Sequence, residues 1–368
     1  MASAPGSTIS SVQYLRGIAA LMVVLLHLQV QQLRLAPDPV ELYTLSAGVD
    51  IFFVISGFIM WVTTAARPQR TAQEFMRDRL IRIVPLYWIV TGTMLVIVLI
   101  FPRVAQTAIV EPLHVLSSFL FLPAINPAGQ DYTPLLIPGW SLNYEMFFYL
   151  IFAAAMYLGG TNLRTRALWI AAAFVALLAI GQLLSPAGVL GFYTADIVLN
   201  FVLGVGVSIA YLSGAVRRSA AWWLLVAAGF VLLGMVGYGG LNVDGRPIIA
   251  LAATAIVFGA VHTPQRPPNR PLLLLGNWSY SLYLIHPLVL SAAYQAWRLT
   301  ETSLPLVVFS IGAVGLCIAA AALSFEWIER PVTAALKSRG AKHPANTAPF
   351  AAPDLVAEEG LEPPTRGL

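Results

Sequence analysis

The chain has 368 residues, of which 58% are hydrophobic and only 10% charged, with a formal net charge of +4. A soluble domain averages about 25% charged residues, so this balance excludes an ordinary water-soluble globular protein and points to a bilayer. The single cysteine, Cys317, lies in an apolar run and excludes an internal disulfide and a cysteine-based metal site.

Apolar segments recur from residue 12 to residue 328 with no polar domain between them. Ten have the length and character of membrane spans, near 12–32, 46–65, 83–101, 139–158, 167–184, 192–212, 221–238, 247–262, 272–294 and 304–328. The first is not read as a cleavable signal, because residues 1–15 hold no Lys or Arg and no A-x-A site follows. The longest loop, 102–138, holds six prolines. Its apolar middle, Leu113 to Leu122, is too short to span and reads as an interfacial or re-entrant helix. The last stretch, with five prolines beyond residue 340 and the Glu358-Glu359 pair, has no apolar period and reads as a disordered tail.

Charge orients the spans. One alternating set of loops and the tail hold sixteen of the 21 Lys and Arg residues, while the intervening loops hold only Arg34, Arg103, Arg246 and Arg298. Positive loops face the cytoplasm. The predicted fold is an all-α polytopic membrane protein of about ten transmembrane helices with both termini cytoplasmic. It comprises a short N-terminal segment 1–11, a membrane domain 12–331 and a disordered cytoplasmic tail 332–368.

Ionisable groups inside spans are costly, and each is a functional hypothesis. Arg16 and His27 are eleven residues apart in the first span. Eleven residues make three turns plus about 20°, so the two share a helix face roughly 16 Å apart. Topology predicts an outer layer of His27, Asp50, Glu145, Asp196 and His286, and an inner layer of Arg16, Arg77, Arg79, Arg82, Glu326 and Glu329. Each also has a structural reading. Asp50 and Asp196 suit helix N-caps, the arginines suit membrane anchors, and Glu326 and Glu329 suit surface ion pairs. His286 before Pro287 suits a structural histidine, as do His114, His262 and His343. Trp61, Trp88, Trp222 and Trp223 suit an interfacial belt. His27 and Glu145 have no local partner in the surrounding apolar sequence.

There is no G-x-S-x-G, H-E-x-x-H or Walker motif, and no spacing that suggests a metal site. A histidine and a carboxylate at one depth suit a general base with its orienting group. Arginines at the cytoplasmic face suit the phosphates of a donor such as acyl-coenzyme A.

Six motifs in order carry a resemblance. They are Arg16 with His27 (R-x10-H), Gly48-Val49-Asp50-Ile51-Phe52-Phe53-Val54-Ile55-Ser56-Gly57-Phe58, and Arg79-Leu80-Ile81-Arg82 within the run to Trp88. Then come Trp140-Ser141-Leu142-Asn143-Tyr144-Glu145 with its run to Tyr149, Ser279-Tyr280-Ser281-Leu282-Tyr283-Leu284-Ile285-His286-Pro287, and Phe325-Glu326-Trp327-Ile328-Glu329-Arg330-Pro331. Over residues 12–331 the chain resembles the acyltransferase-3 family of integral membrane proteins, and within it the exopolysaccharide-production acetyltransferases. The resemblance implies a cytoplasmic acyl-CoA donor, a carbohydrate acceptor at or beyond the outer face, and His27 as the catalytic histidine. It associates Arg16, Arg79, Arg82 and Glu145 with function.

The expectation is a multi-pass O-acyltransferase of the bacterial inner membrane. His27 is the base, Glu145 orients its imidazole, and Arg16, Arg79 and Arg82 hold the donor. Asp50, Asn143, Tyr144, Tyr283 and His286 are candidates for acceptor contact or support. Acyl-CoA, read as acetyl-CoA, is the expected co-substrate, with no tightly bound cofactor and no metal. The expected partners are a polysaccharide or lipid-linked sugar, membrane lipids and polysaccharide biosynthesis or export machinery, with no nucleic acid. The rival reading is a proton-coupled transporter using His27, Glu145 and His286 as a relay. Against it stands the lack of an inverted repeat.

Overall fold

The computed structural model describes residues 9–35, 43–101, 109–237, 245–264, 267–299 and 305–340. Every regular element among them is helical. In chain order these are α1 (Ser10–Leu35), a 3₁₀ turn (Tyr43–Ser46), α2 (Ala47–Ala66), α3 (Ala72–Ile100), α4 (Pro112–Phe119), α5 (Gly139–Gly159) and α6 (Leu163–Leu184). Then follow α7 (Gly188–Tyr193), α8 (Val198–Ser213), α9 (Trp222–Gly237), α10 (Gly245–His262), α11 (Arg270–Asn277) and α12 (Ser279–Leu299). Last come α13 (Leu306–Ser324), a π-helical turn (Phe325–Glu329) and α14 (Arg330–Gly340).

Helix occupies every predicted span, in two cases as a broken pair, α7 with α8 and α11 with α12. Seven helical segments are long and apolar enough to cross a membrane, and α9 and α10 are shorter apolar helices. Helix α12, which carries Ser279, Tyr280, Ser281, Tyr283 and His286 in its first turns, is not among the seven.

Local chemistry sets the ends. Thr71 and Glu74 form a reciprocal capping box, with Glu74 N to Thr71 Oγ1 at 3.1 Å and Thr71 N to Glu74 Oε2 at 2.9 Å. That cap starts α3 at Ala72 rather than near residue 83, so Arg77, Arg79 and Arg82 ride on the same helix as the apolar run. Asn162 caps α6 and Asn269 caps α11 through their side-chain oxygens. The segment beyond 331, predicted as tail, is helical to Gly340, where Ala334-Ala335-Leu336-Lys337 supplies strong helix formers. The rest of the predicted tail, 341–368, and residues 1–8 lie outside the described residues.

The eight-residue α4 covers the predicted short apolar stretch from Leu113 as far as Phe119 and lies against α3. Tyr87 Oη donates to Ser118 O at 2.9 Å and Trp88 Nε1 to Phe119 O at 2.8 Å.

Helices α2 and α8 cross at two facing glycines. A Cβ on Gly57 would lie 2.1 Å from Phe201 O, and one on Gly204 would lie 2.1 Å from Val54 O. Small residues let membrane helices approach this closely. An aromatic core fills the space beside that crossing, where Phe148 stacks on Phe201 with ring centroids 4.3 Å apart. Trp61 belongs to this core, edge-on to Phe152, and not to an interfacial belt. Helix α1 packs against α2, α10, α11, α12 and α13, so the helix bearing Arg16 and His27 is shared by several packing units.

Candidate active site

Helices α1 and α12 each carry two stations along one face. On α1, Arg16 faces a central cavity and His27 lies three turns further on. On α12, Ser279 and Tyr283 line the same cavity, and His286 follows three residues later, a rise of about 4.5 Å. The cavity has a volume of about 100 Å³. Arg16 from α1, Ser56 from α2, Arg79 and Arg82 from α3, and Glu145 and Tyr149 from α5 contribute its polar wall.

The histidines meet directly. His286 Nε2 lies 3.2 Å from His27 Nδ1, with ring centroids 4.8 Å apart. His286 Nδ1 is 3.1 Å from Leu282 O, and His27 Nδ1 is 2.9 Å from Val23 O. A carbonyl only accepts, so both Nδ1 atoms carry hydrogen. The Nε2 lone pair of His286 then faces the Nδ1–H of His27, and the lone pair of His27 resides on its own Nε2. His286 is fully buried, whereas His27 is half-buried.

Nδ1 of His27 thus takes Val23 O and His286 Nε2 as its partners, and not Glu145. Glu145 Oε1 instead accepts from Tyr149 Oη at 2.5 Å and Ser56 Oγ at 3.1 Å, in the cavity it shares with the arginines. The expected five-residue outer cluster does not form. Asp50 accepts from Asn200 Nδ2 at 2.7 Å, and Asp196 from Gln182 Nε2 at 2.8 Å. Neither aspartate caps a helix, since α2 and α8 begin without a side-chain cap bond. The helices that carry these residues were legible from the sequence, but the direction in which each side chain leaves its helix was not.

The arginine end has further members. Arg82 Nη1 reaches Glu329 Oε1 at 3.5 Å, and Ser281 Oγ donates to Glu329 Oε2 at 2.6 Å. The π-helical turn, which inserts an extra residue per turn, carries Glu329 inward while Glu326 stays at the surface with Arg330. The expected surface pairing therefore holds for Glu326 and not for buried Glu329. Arg79 lies within cation–π distance of Phe75 and Tyr149, at 5.5 and 5.8 Å from their ring centroids. Ser56, Ser141 and Tyr149 sit inside two of the sequence motifs, yet nothing but the fold distinguishes them from neighbouring hydroxyls.

The remaining candidates are dispersed. Tyr283 Oη lies 2.7 Å from Ser141 Oγ and donates to Pro138 O at 3.1 Å. Tyr144 Oη donates to Phe192 O at 2.5 Å. Asn143 is buried, lies outside the cavity lining, and its amide finds no hydrogen-bond partner among the described residues. His114 and His262 are tied to Thr133 O and Phe258 O as structural histidines. Among the described residues no three His, Cys, Asp or Glu side chains gather in a way that could hold a metal ion.

Residues 9–324 match a protein family described as an acyltransferase domain. The exopolysaccharide production protein ExoZ of Rhizobium meliloti is 35% identical over 312 residues, covering 81% of this chain and 95% of that protein. The acyltransferase MdmB of Streptomyces mycarofaciens is 26% identical, over 92% of this chain and 95% of its own length. The O-acetyltransferase OatA of Staphylococcus aureus is 24% identical over 86% of this chain, which corresponds to 56% of OatA. No solved structure matches. With the family matched over most of its length, the chain belongs to the acyltransferase-3 family and is a multi-pass membrane acyltransferase.

Proposed function

We propose that this chain is an O-acyltransferase that moves an acyl group, acetyl in the simplest case, from acyl-coenzyme A to a hydroxyl of a surface polysaccharide or its lipid-linked precursor. The observation that carries the reading is the His27–His286 pair, set one turn of α12 beyond a cavity lined by three arginines. The names of the relatives ExoZ and OatA support the carbohydrate class and the O-acyl chemistry.

In this reading His27 Nε2 takes the proton of the sugar hydroxyl as that oxygen attacks the thioester carbonyl carbon. The carbon–sulfur bond then breaks, and the coenzyme A thiolate receives the proton from His27 Nε2. Throughout, the Nδ1–H of His27 is held by Val23 O and His286 Nε2, which supports the imidazolium while it exists. His286 therefore takes the orienting role expected of Glu145. Arg16, Arg79 and Arg82 draw the donor phosphates to the inner end. A volume of about 100 Å³ is well below the ~300 Å³ of a small-molecule site. The nucleotide would remain outside, and only the narrow acyl-pantetheine arm would enter.

The same proposal places ten crossings in a bacterial inner membrane with both termini cytoplasmic. Polysaccharide assembly or export proteins supply the acceptor, and no tightly bound cofactor is required. The test is a deletion strain complemented with wild type or His27→Ala at equal membrane levels, with O-acyl groups on the purified polysaccharide measured by proton NMR. Wild type restores them and His27→Ala does not; acylation by the variant would overturn the assignment.

A further inference from the structure

A second pocket, of about 470 Å³, opens on the other flank of α5. Ser141, Leu142 and Glu145 turn toward the arginine-lined cavity, while Trp140 and Tyr144, one turn apart on the neighbouring face, line this pocket. Gln182 at the end of α6, Asp196 before α8, and Arg246 at the start of α10 complete its polar rim. All of these lie at helix ends that the charge pattern assigns to the outer face. The catalytic steps described above use none of these side chains.

From this lining we infer that the pocket is a carbohydrate subsite, holding one pyranose ring of the acceptor next to the ring that is acylated. A pyranose presents a face of C–H bonds and a rim of hydroxyls that both donate and accept. The first needs a flat aromatic surface, and the second needs planar polar groups. Half-buried Trp140 supplies the wall, backed by buried Tyr144 packed edge to face at 6.0 Å and itself stacked on Phe192 at 4.1 Å. The rim holds a carboxylate, an amide and a guanidinium. Gln182 Nε2 bonds to Asp196 Oδ1 at 2.8 Å, which fixes the two together. Their other oxygens, Gln182 Oε1 and Asp196 Oδ2, take no protein hydrogen bond among the described residues, and both can accept from sugar hydroxyls. The volume falls within the ~300–1,000 Å³ of small-molecule sites. A phospholipid headgroup fits the rim poorly, because Asp196 would face its phosphate.

The position relative to α5 gives the subsite its purpose. A polymer seated here passes over the first turn of α5 toward the cavity side, so binding of one ring sets which hydroxyl of the next is presented. Binding energy from a remote ring is a means of orienting the reacting one. That the bound sugar is the acceptor rests on the transferase reading; that the pocket binds sugar does not.

The test uses full-length protein in lipid nanodiscs and oligosaccharides cut by mild acid from the source cell's own surface polysaccharide, de-O-acylated with alkali. Saturation-transfer NMR and calorimetric titration compare wild type with Trp140→Ala, Asp196→Asn, Gln182→Ala and His27→Ala. Gln182 is solvent-exposed, so its variant probes the rim without burdening the fold. Wild type and His27→Ala should bind alike, and the three pocket variants should each bind roughly tenfold more weakly, a loss of about 1.4 kcal/mol. Saturable binding that none of the pocket variants weakens overturns the subsite, as does absence of binding by wild type or competition by glycerol 3-phosphate. If instead pocket variants lose binding while His27→Ala still acylates polysaccharide, the subsite stands and the assignment of the base falls.

Discussion

His286 Nε2 lies 3.2 Å from His27 Nδ1, and the two rings come from helices at opposite ends of the sequence. Because His286 Nδ1 is committed to Leu282 O, this contact can only be His27 donating to His286. The result is a base whose free lone pair is set by its neighbour. His286→Ala should lower kcat by on the order of 10²-fold while leaving the KM for acetyl-CoA unchanged, since His286 does not line the donor cavity. His286→Gln, whose amide oxygen can accept the same hydrogen, should recover part of the rate. Steady-state kinetics in nanodiscs separates these effects. Equal loss in both variants, together with a raised KM, would mean that His286 serves packing alone.

Glu145 makes a contrasting case. Its carboxylate is held by Tyr149 and Ser56 beside the arginines, not by His27. Glu145→Gln should therefore act on donor binding, changing the acetyl-CoA KM by about tenfold or more (about 1.5–3 kcal/mol, the usual range of hydrogen bonds to charged groups). Its effect on kcat should be far smaller than that of His27→Ala. A variant with normal donor affinity and no turnover would put Glu145 at the reacting centre instead.

The Arg82–Glu329 pair is nearly sealed from solvent, with side chains 10% and 1% exposed. Removing one member of a buried pair costs about 3–5 kcal/mol because the other stays charged in a poor environment. Arg82→Met should lower the unfolding midpoint in detergent more than the double change Arg82→Met with Glu329→Leu does. Additive losses in the double variant would show that the two side chains are not energetically coupled.

The Gly57–Gly204 crossing has a steric test. Gly57→Ala would force its methyl to 2.1 Å from Phe201 O, so helices α2 and α8 must separate, at about 1–3 kcal/mol. Gly206→Ala, two residues further along α8, meets nothing within 4 Å and serves as the matched control. Size-exclusion profiles of fluorescently tagged protein should show aggregation or loss for the first and a normal peak for the second. Normal behaviour of both would place the helices further apart than described.

Much of the architecture was legible because bilayer physics writes it into composition. Each predicted span coincides with helix, and the short α4 coincides with the stretch judged too short to cross. Helix α3 begins eleven residues ahead of the span placed at 83–101, because the Thr71–Glu74 cap extends the helix beyond its apolar part. Trp61 was misread as interfacial because a tryptophan near a span end has the same sequence signature whether it faces lipid or Phe152. The inner cluster was more legible than the outer one. Arg16, Arg79 and Arg82 do line one cavity, whereas His27, Asp50, Glu145, Asp196 and His286 divide among four separate environments.

The sequence by itself determined that the chain is helical, apolar in recurring segments from residue 12 to residue 328 and similar to the acyltransferase-3 motifs, with Arg16 and His27 on one face of α1. The helical and apolar character follows from composition and the shared face from the fixed 100° turn of a helix, both acting within a single segment, while the family follows from the resemblance of the six motifs. Only the tertiary structure decided that His27 pairs with His286, that Glu145 joins the arginines, and that Trp140 and Asp196 share a pocket. Each depends on the rotation of one helix against another. That rotation is set by close contacts such as Gly57 with Gly204 and by the π-helical turn that carries Glu329 inward, and no periodicity along one segment encodes it.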